Sequence, residues 1–151
     1  MDWGQLFFKF NGRINRAKFW LAVLIYTAIN IVIAILGYVS DDSAVFQAVN
    51  GILGIVIFIS SLAVGVKRLH DRNKSGWYLV LFYIIPSILI VAGIAVGTIM
   101  EDSILIASIL GLVAAGIGIW AFIELGCLRG TVGPNQYGPD PLAAAPLGAQ
   151  L

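Results

Sequence analysis

Apolar residues along this chain do not alternate with polar ones; they run together. Four long uncharged stretches lie between the charged residues, at 19–40, 43–66, 75–100 and 103–123, with 22, 24, 26 and 21 residues. A helix rises about 1.5 Å per residue, so roughly 20 residues cross a hydrocarbon core about 30 Å thick. The pattern predicts an all-α membrane protein with four transmembrane helices over about 19–40, 45–66, 77–100 and 103–124. Ahead of them, Trp3, Leu6, Phe7 and Phe10 recur at helical spacing and predict a short N-terminal interfacial helix ended by Asn11-Gly12. Behind them, the Gly/Pro-rich C-terminal tail from Leu128 to Pro141 forbids a continuing helix and predicts ordered turns under the bundle. Residues 1–141 thus read as a single four-helix transmembrane domain and 142–151 as a loose tail. The first apolar run begins only at Phe19 and ends at Ser40-Asp41-Asp42 without a small-x-small pattern. It is therefore expected to stay in the mature protein.

Composition supports the same class. Of 151 residues, 60% are hydrophobic and 11% charged, and the mean hydropathy is +0.95. Soluble domains carry about 25% charged residues, so soluble globular, disordered, collagenous and disulfide-rich secreted classes are all poor fits. A lone Cys127 permits no internal disulfide, and a lone His70 no ordinary Cys/His zinc cage. No metal and no cofactor is expected.

Charge sets the orientation. All nine basic residues fall on one side of the predicted membrane, before span one, between spans two and three, or after span four. With Asp2, Asp71, Glu124 and Asp140 that side sums to +5; the opposite loops hold only Asp41, Asp42, Glu101 and Asp102, for −4. The positive-inside rule predicts that both termini and the central loop are cytoplasmic. Trp3, Trp20, Trp77 and Trp120 fall near the same interface, where amphipathic rings anchor.

Inside the spans, Gly93-x-x-x-Gly97 and Ala107-x-x-x-Gly111-x-x-x-Ala115 predict close helix packing within the chain, with a homodimer seam as the weaker reading. Pro86 is expected to kink span three. Asn30 sits at the midpoint of span one and should face the bundle as structural glue, since an amide in hydrocarbon needs a partner. Asn50 lies near the outer end of span two. No ionisable residue lies deep in any span, which argues against a proton relay.

Three segments on the basic side look specific. Arg13 and Arg16 are three apart, and Trp20 follows Arg16 by four, so all three share a face if the segment is helical. Span two is expected to run on to about Asp71, with Asn73 as a left-handed terminator and Ser75 capping span three. Arg68 and Lys67 are then three and four residues from Asp71, at ion-pair spacing. An Asp at a helix C-terminus meets a negative macrodipole end and needs further compensation, for which Arg13 or Arg16 is the candidate. His70 and Asp71 are adjacent and do not face each other on a helix, so a structural histidine outweighs a catalytic one. In the third segment Asn135, Tyr137 and Asp140 stand out, and Glu124 at the end of span four is placed to pair with nearby cations.

These segments resemble the bacterial inner-membrane family known as domain of unknown function 805. The matching residues are Phe10, Gly12, Arg13, Arg16, Phe19 and Trp20; then Arg68, Leu69, His70, Asp71, Ser75, Gly76 and Trp77; then Asn135, Tyr137, Gly138, Pro139, Asp140 and Pro141. Asn73 stands where the family usually has Gly, and Asn tolerates the same left-handed conformation. The resemblance implies a small multi-spanning inner-membrane protein and no particular activity.

The leading function is a non-enzymatic binding or accessory protein whose basic cytoplasmic face engages anionic membrane lipids, of the cardiolipin or phosphatidylglycerol kind, or a membrane-protein partner. Its binding candidates are Arg13, Arg16, Arg68, His70, Asp71, Glu124, Asn135, Tyr137 and Asp140. Topology alone would place basic residues here, but it needs neither His70-Asp71 nor the Gly/Pro tail. The alternative is an oligomeric channel or small-solute transporter, with acidic outer loops and hydroxyls such as Ser60 and Ser61. A headgroup enzyme ranks third, because no nucleophile–base spacing is present. Nucleic acid is not expected as a partner.

Overall fold

The computed structural model describes residues 2–39, 43–99 and 103–143. Five helices follow in order: α1 (Trp3–Phe8), α2 (Arg16–Val39), α3 (Ala44–Asp71), α4 (Ile85–Ile99) and α5 (Ile104–Phe122). A π-helical turn, Val80–Ile84, leads into α4, and another, Ile123–Cys127, extends α5. With these turns included, four helices are long and apolar enough to cross a membrane: Arg16–Val39, Ala44–Asp71, Val80–Ile99 and Ile104–Cys127. The predicted outer loops at Asp41, Asp42, Glu101 and Asp102 lie outside the described residues, as does most of the predicted loose tail.

Local chemistry accounts for most boundaries. The side chains of Asp2 and Asn15 accept from Gln5 N and Lys18 N, capping the starts of α1 and α2. Ser43 does the same for α3 through Phe46 N at 3.3 Å. Asn73, with φ 57°, ends α3; Lys74 N bonds Leu69 O and Asn73 N bonds His70 O, both at 2.9 Å. Those two bonds form a Schellman motif with Asn in the left-handed position. Helix α1 stops at Phe8, earlier than the expected Asn11-Gly12 break, and Phe10 lies exposed beyond it. Pro86 is the second residue of α4 and has no N–H. The preceding turn widens so that Ile85 N bonds Val80 O five residues back.

Two antiparallel helix pairs make up the bundle. Helices α2 and α3 meet through Ala22 and Val64 and through Tyr26 Oη and Ser60 Oγ, 2.7 Å apart. Helices α4 and α5 pack tightly where Gly93 and Gly97 face Ala107, so those small residues serve packing within the chain, whereas Gly111 and Ala115 are exposed. The pairs join at the basic end, where Leu69, Leu79, Phe82 and Leu125 form a second apolar cluster. Burial is inverted relative to a soluble protein. Lys67, Arg68, Asp71 and Glu124 are each at most 3% exposed, while Ile, Leu and Val side chains cover the surface of the spans.

Asn30 departs from expectation. It lies on the surface of α2 rather than in the bundle, and Nδ2 donates to Tyr26 O of its own helix at 2.8 Å. The bundle interior beside it is already closed by Ala22, Tyr26 and Ser60.

A Cβ built on Gly93 would sit 3.3 Å from the Ala107 carbonyl oxygen, whereas one on Gly111 meets open space. Gly93→Leu should therefore force α4 and α5 apart and cost about 1–3 kcal/mol, while Gly111→Ala leaves stability equal or slightly higher. Thermal unfolding of the two variants in detergent distinguishes them.

Candidate functional site

At the basic end, Asp71 closes α3 beneath the bundle with both carboxylate oxygens engaged. Oδ1 accepts from Arg13 Nε and Nη2 at 3.1 and 3.0 Å, and Oδ2 from Arg68 Nη1 at 2.5 Å. The two guanidiniums are 1% and 0% exposed, so this is a buried triad of two cations and one anion. The excess positive charge is met by carbonyl dipoles. Arg13 Nη2 also donates to Thr131 O, and Nη1 to Gly133 O and Gly138 O, so all five guanidinium donors are used.

The π-helical turn that extends α5, Ile123–Cys127, and the two residues after it supply acceptors to the other side chains at this end. The terminal carbonyls of a helix have no helical partner and carry the negative end of the helix dipole. Arg68 binds Leu125 O and Leu128 O, Trp20 Nε1 binds Gly126 O, Arg16 binds Cys127 O, and Arg72 binds Arg129 O. Five consecutive carbonyls are thus capped by side chains from α2, α3 and the turn after α3. Glu124 Oε1 lies 3.0 Å from both Arg72 Nε and Lys74 Nζ.

The tail folds over the triad. Asp71 O accepts from Thr131 N and Oγ1. Asn135 Nδ2 donates to His70 O and Thr131 Oγ1, and Asn135 and Gly138 exchange backbone bonds. Tyr137 stacks on His70 with ring centroids 3.8 Å apart and planes 3° from parallel. His70 Nδ1 lies 3.2 Å from Gly12 O, an acceptor, so that nitrogen carries the proton. Gly130 approaches so closely that a Cβ there would fall 2.0 Å from Asp71 Oδ2.

The structure therefore brings together Arg13, Arg68, His70, Asp71, Asn135 and Tyr137. Arg16 is not part of that group. The chain is non-helical until Arg16, so Arg13 and Arg16 diverge, and Arg16 joins Trp20 on the end of α5. Glu124 forms its own cluster. Asp140 accepts from Gly133 N and Leu142 N, both at 2.9 Å. Lys67 does not pair with Asp71. It turns the other way, toward Gln5 O and Leu6 O at the end of α1. Its separation of four residues from Asp71 carries no hint of that direction, because Gln5 and Leu6 lie 62 and 61 positions away in sequence.

Beside Lys67 opens a cavity of about 200 Å³. It lies between α1, the segment leading into α2, and α3. Lys9, Arg13, Lys18 and Lys67 line it, with Asp2 the only acidic side chain there. Lys67 is 3% exposed and has two carbonyl partners for three ammonium donors. Among the described residues, no three His, Cys, Asp or Glu side chains gather at metal-binding range.

Removing Asp71 strands two buried guanidiniums. Asp71→Ala should cost about 3–5 kcal/mol, and Gly130→Ala should also destabilise by driving a methyl into the carboxylate. The double variant should lose less than the two single losses added, since the clash disappears with the carboxylate. Unfolding titrations of the four proteins test this coupling.

The N–H groups of Leu142 and Gly133 hold the Asp140 carboxyl below its ordinary value of 3.8, and the charges of Arg13 and Arg129 act in the same direction. A depressed folded-state value stabilises the docked tail fully above the unfolded value and ceases to do so as pH falls through the folded one. The amides of Gly133 and Leu142 should stay protected from hydrogen exchange near neutrality and lose protection only in acid below pH 3.8. In Asp140→Asn that acid step should vanish.

A family model described as "Protein of unknown function (DUF805)" matches residues 7–139. Inner membrane protein YhaH of Escherichia coli strain K12 is 28% identical, with 93% of this chain and 97% of the relative covered. Inner membrane protein YhaI of that strain is 24% identical, covering 87% of this chain and 85% of the relative. Uncharacterized protein YiiR, also from that strain, is 31% identical over 90% of this chain and 88% of the relative. No solved structure matches the chain. Four helices able to span a bilayer, and relatives named as inner-membrane proteins, make this a multi-pass inner-membrane protein. With a match that takes in the segments of Arg13, Asp71 and Asn135, the chain belongs to the DUF805 family of unknown function.

Proposed function

We propose that this protein is a non-enzymatic binding protein whose basic end faces the cytoplasm and holds the phosphate of an anionic membrane lipid. The observation that carries this reading is the cavity at Lys67: four cations and one carboxylate around a space of about 200 Å³, with a spare donor on a buried ammonium. Basic pockets at the inner interface suit anionic headgroups. Exposed Trp3, Phe8 and Phe10 flank the cavity's own helix and loop, at the depth where aromatic rings favour the interface. Arg13 and Arg68 are committed to Asp71 and to carbonyls, so the ligand's charge falls to Lys9, Lys18 and Lys67.

Native mass spectrometry after gentle extraction from vesicles of phosphatidylethanolamine and phosphatidylglycerol tests the proposal. Wild type should retain phosphatidylglycerol. Each lysine near a membrane surface contributes about 1 kcal/mol to anionic lipid binding, so Lys9→Gln with Lys18→Gln should weaken retention by roughly thirty-fold. Arg129→Gln, an exposed cation that does not line the cavity, should retain lipid as wild type does. Equal retention by the lysine variant, or none by wild type, would overturn it.

A further inference from the structure

Asn30 is the fifteenth residue of α2, about 21 Å from the start of a helix roughly 36 Å long. Its depth is therefore near the middle of the span. An amide offers two donors and an acceptor with two lone pairs. One donor reaches Tyr26 O, and Oδ1 and the second N–H have no partner among the described residues. The side chain lies on the surface of the helix, in a shallow groove of about 430 Å³ lined by Val23, Tyr26, Thr27, Asn30, Ile31 and Ala34. Hydrocarbon provides no hydrogen-bonding group at that depth, and an unpaired amide there is costly.

Thr27, Asn30 and Ala34 follow at helical spacing and lie on one face. The two flanking side chains are small, and Thr27 Oγ1 is already satisfied by Val23 O at 2.9 Å. Small neighbours allow another helix to come close enough for an amide bond. We infer that this face of α2 is a homodimer interface, in which Asn30 pairs with Asn30 of a second copy of the chain.

The amide's own geometry selects the partner. A two-fold axis along the membrane normal brings the same residue of the second copy to the same depth. Each amide then offers the donor and the acceptor that the other lacks. The inference does not depend on the lipid site, which lies at the end of the bundle.

Disulfide cross-linking of the full-length protein in vesicles of phosphatidylethanolamine and phosphatidylglycerol tests it. Cys127, the sole cysteine, is first changed to Ser. Single cysteines are then placed by Thr27→Cys and Ala34→Cys on the face, and by Val32→Cys on the opposite side of the helix. Val32 is 55% exposed, so accessibility alone does not separate the positions. Oxidation should dimerise the two on-face variants and leave Val32→Cys monomeric. Interhelical bonds of this kind contribute about 1–2 kcal/mol, so Asn30→Val should weaken dimerisation five- to thirty-fold, and Asn30→Gln should retain most of it. Equal cross-linking at all three positions, or an Asn30→Val variant that is folded by circular dichroism and dimerises as wild type, would overturn the inference. A wild-type chain that stays monomeric would overturn it too, and would point to a different partner on this face.

Discussion

The carboxylate of Asp71 is buried at the end of a helix, where the helix dipole already opposes negative charge. Such a charge is tolerated only with close compensation, and here two guanidiniums supply it from different places in the chain. Arg68 comes from one turn earlier in α3, and Arg13 from the irregular segment before α2. Once those two arginines are held by Asp71, their remaining donors reach Leu125 O, Leu128 O, Thr131 O, Gly133 O and Gly138 O. The two ion pairs of Asp71 thereby fix where the end of α5 and the tail must lie. Breaking a buried pair leaves uncompensated charge, so the arrangement acts as a latch on the topology.

The distribution of order follows from that latch. Within the spans, packing depends on modest contacts such as Ala22 with Val64 and Gly93 with Ala107. Apolar burial offers little there, since lipid is as apolar as the side chains it would replace. At the basic end, charge-assisted hydrogen bonds to helix-terminal carbonyls join four segments, and among the described residues no buried side-chain nitrogen or oxygen lacks a partner. The bundle is held by its polar end, and the helices extend from it. That plan leaves much of the α2 surface uncovered, including a mid-span amide that a tightly packed bundle would have enclosed.

The basic residues divide by role. Arg13, Arg68 and Arg72 are bound to carboxylates and carbonyls and serve the architecture. Lys9 and Lys18 instead line open space, together with Lys67, which also donates to Gln5 O and Leu6 O. Lysine suits that position because its ammonium is a compact charge with three donors, whereas arginine's planar fork matches a carboxylate on one side and carbonyls on the others. In the function proposed above, the ligand therefore sits beside the arginine network rather than within it.

Much of this was legible in the chain itself. Uninterrupted apolar runs dictated four spans, because only a helix satisfies its backbone in hydrocarbon. Asn73 marked the end of α3 through its tolerance of positive φ, and the spacing of Arg68 and Asp71 along a helix announced their pairing. Asp71's need for a second cation was also readable from its place at a helix end. Choosing Arg13 over Arg16 was not, since it depended on the helix beginning only at Arg16. Nor was the turn of Lys67 toward α1, the capping of five consecutive carbonyls at and beyond the end of the last span, or the outward position of Asn30. Sequence periodicity reports which residues share a face of one element. Which face meets which neighbour is decided only when the elements pack, because carbonyl ends and cavities exist only after segments distant in sequence have been brought together.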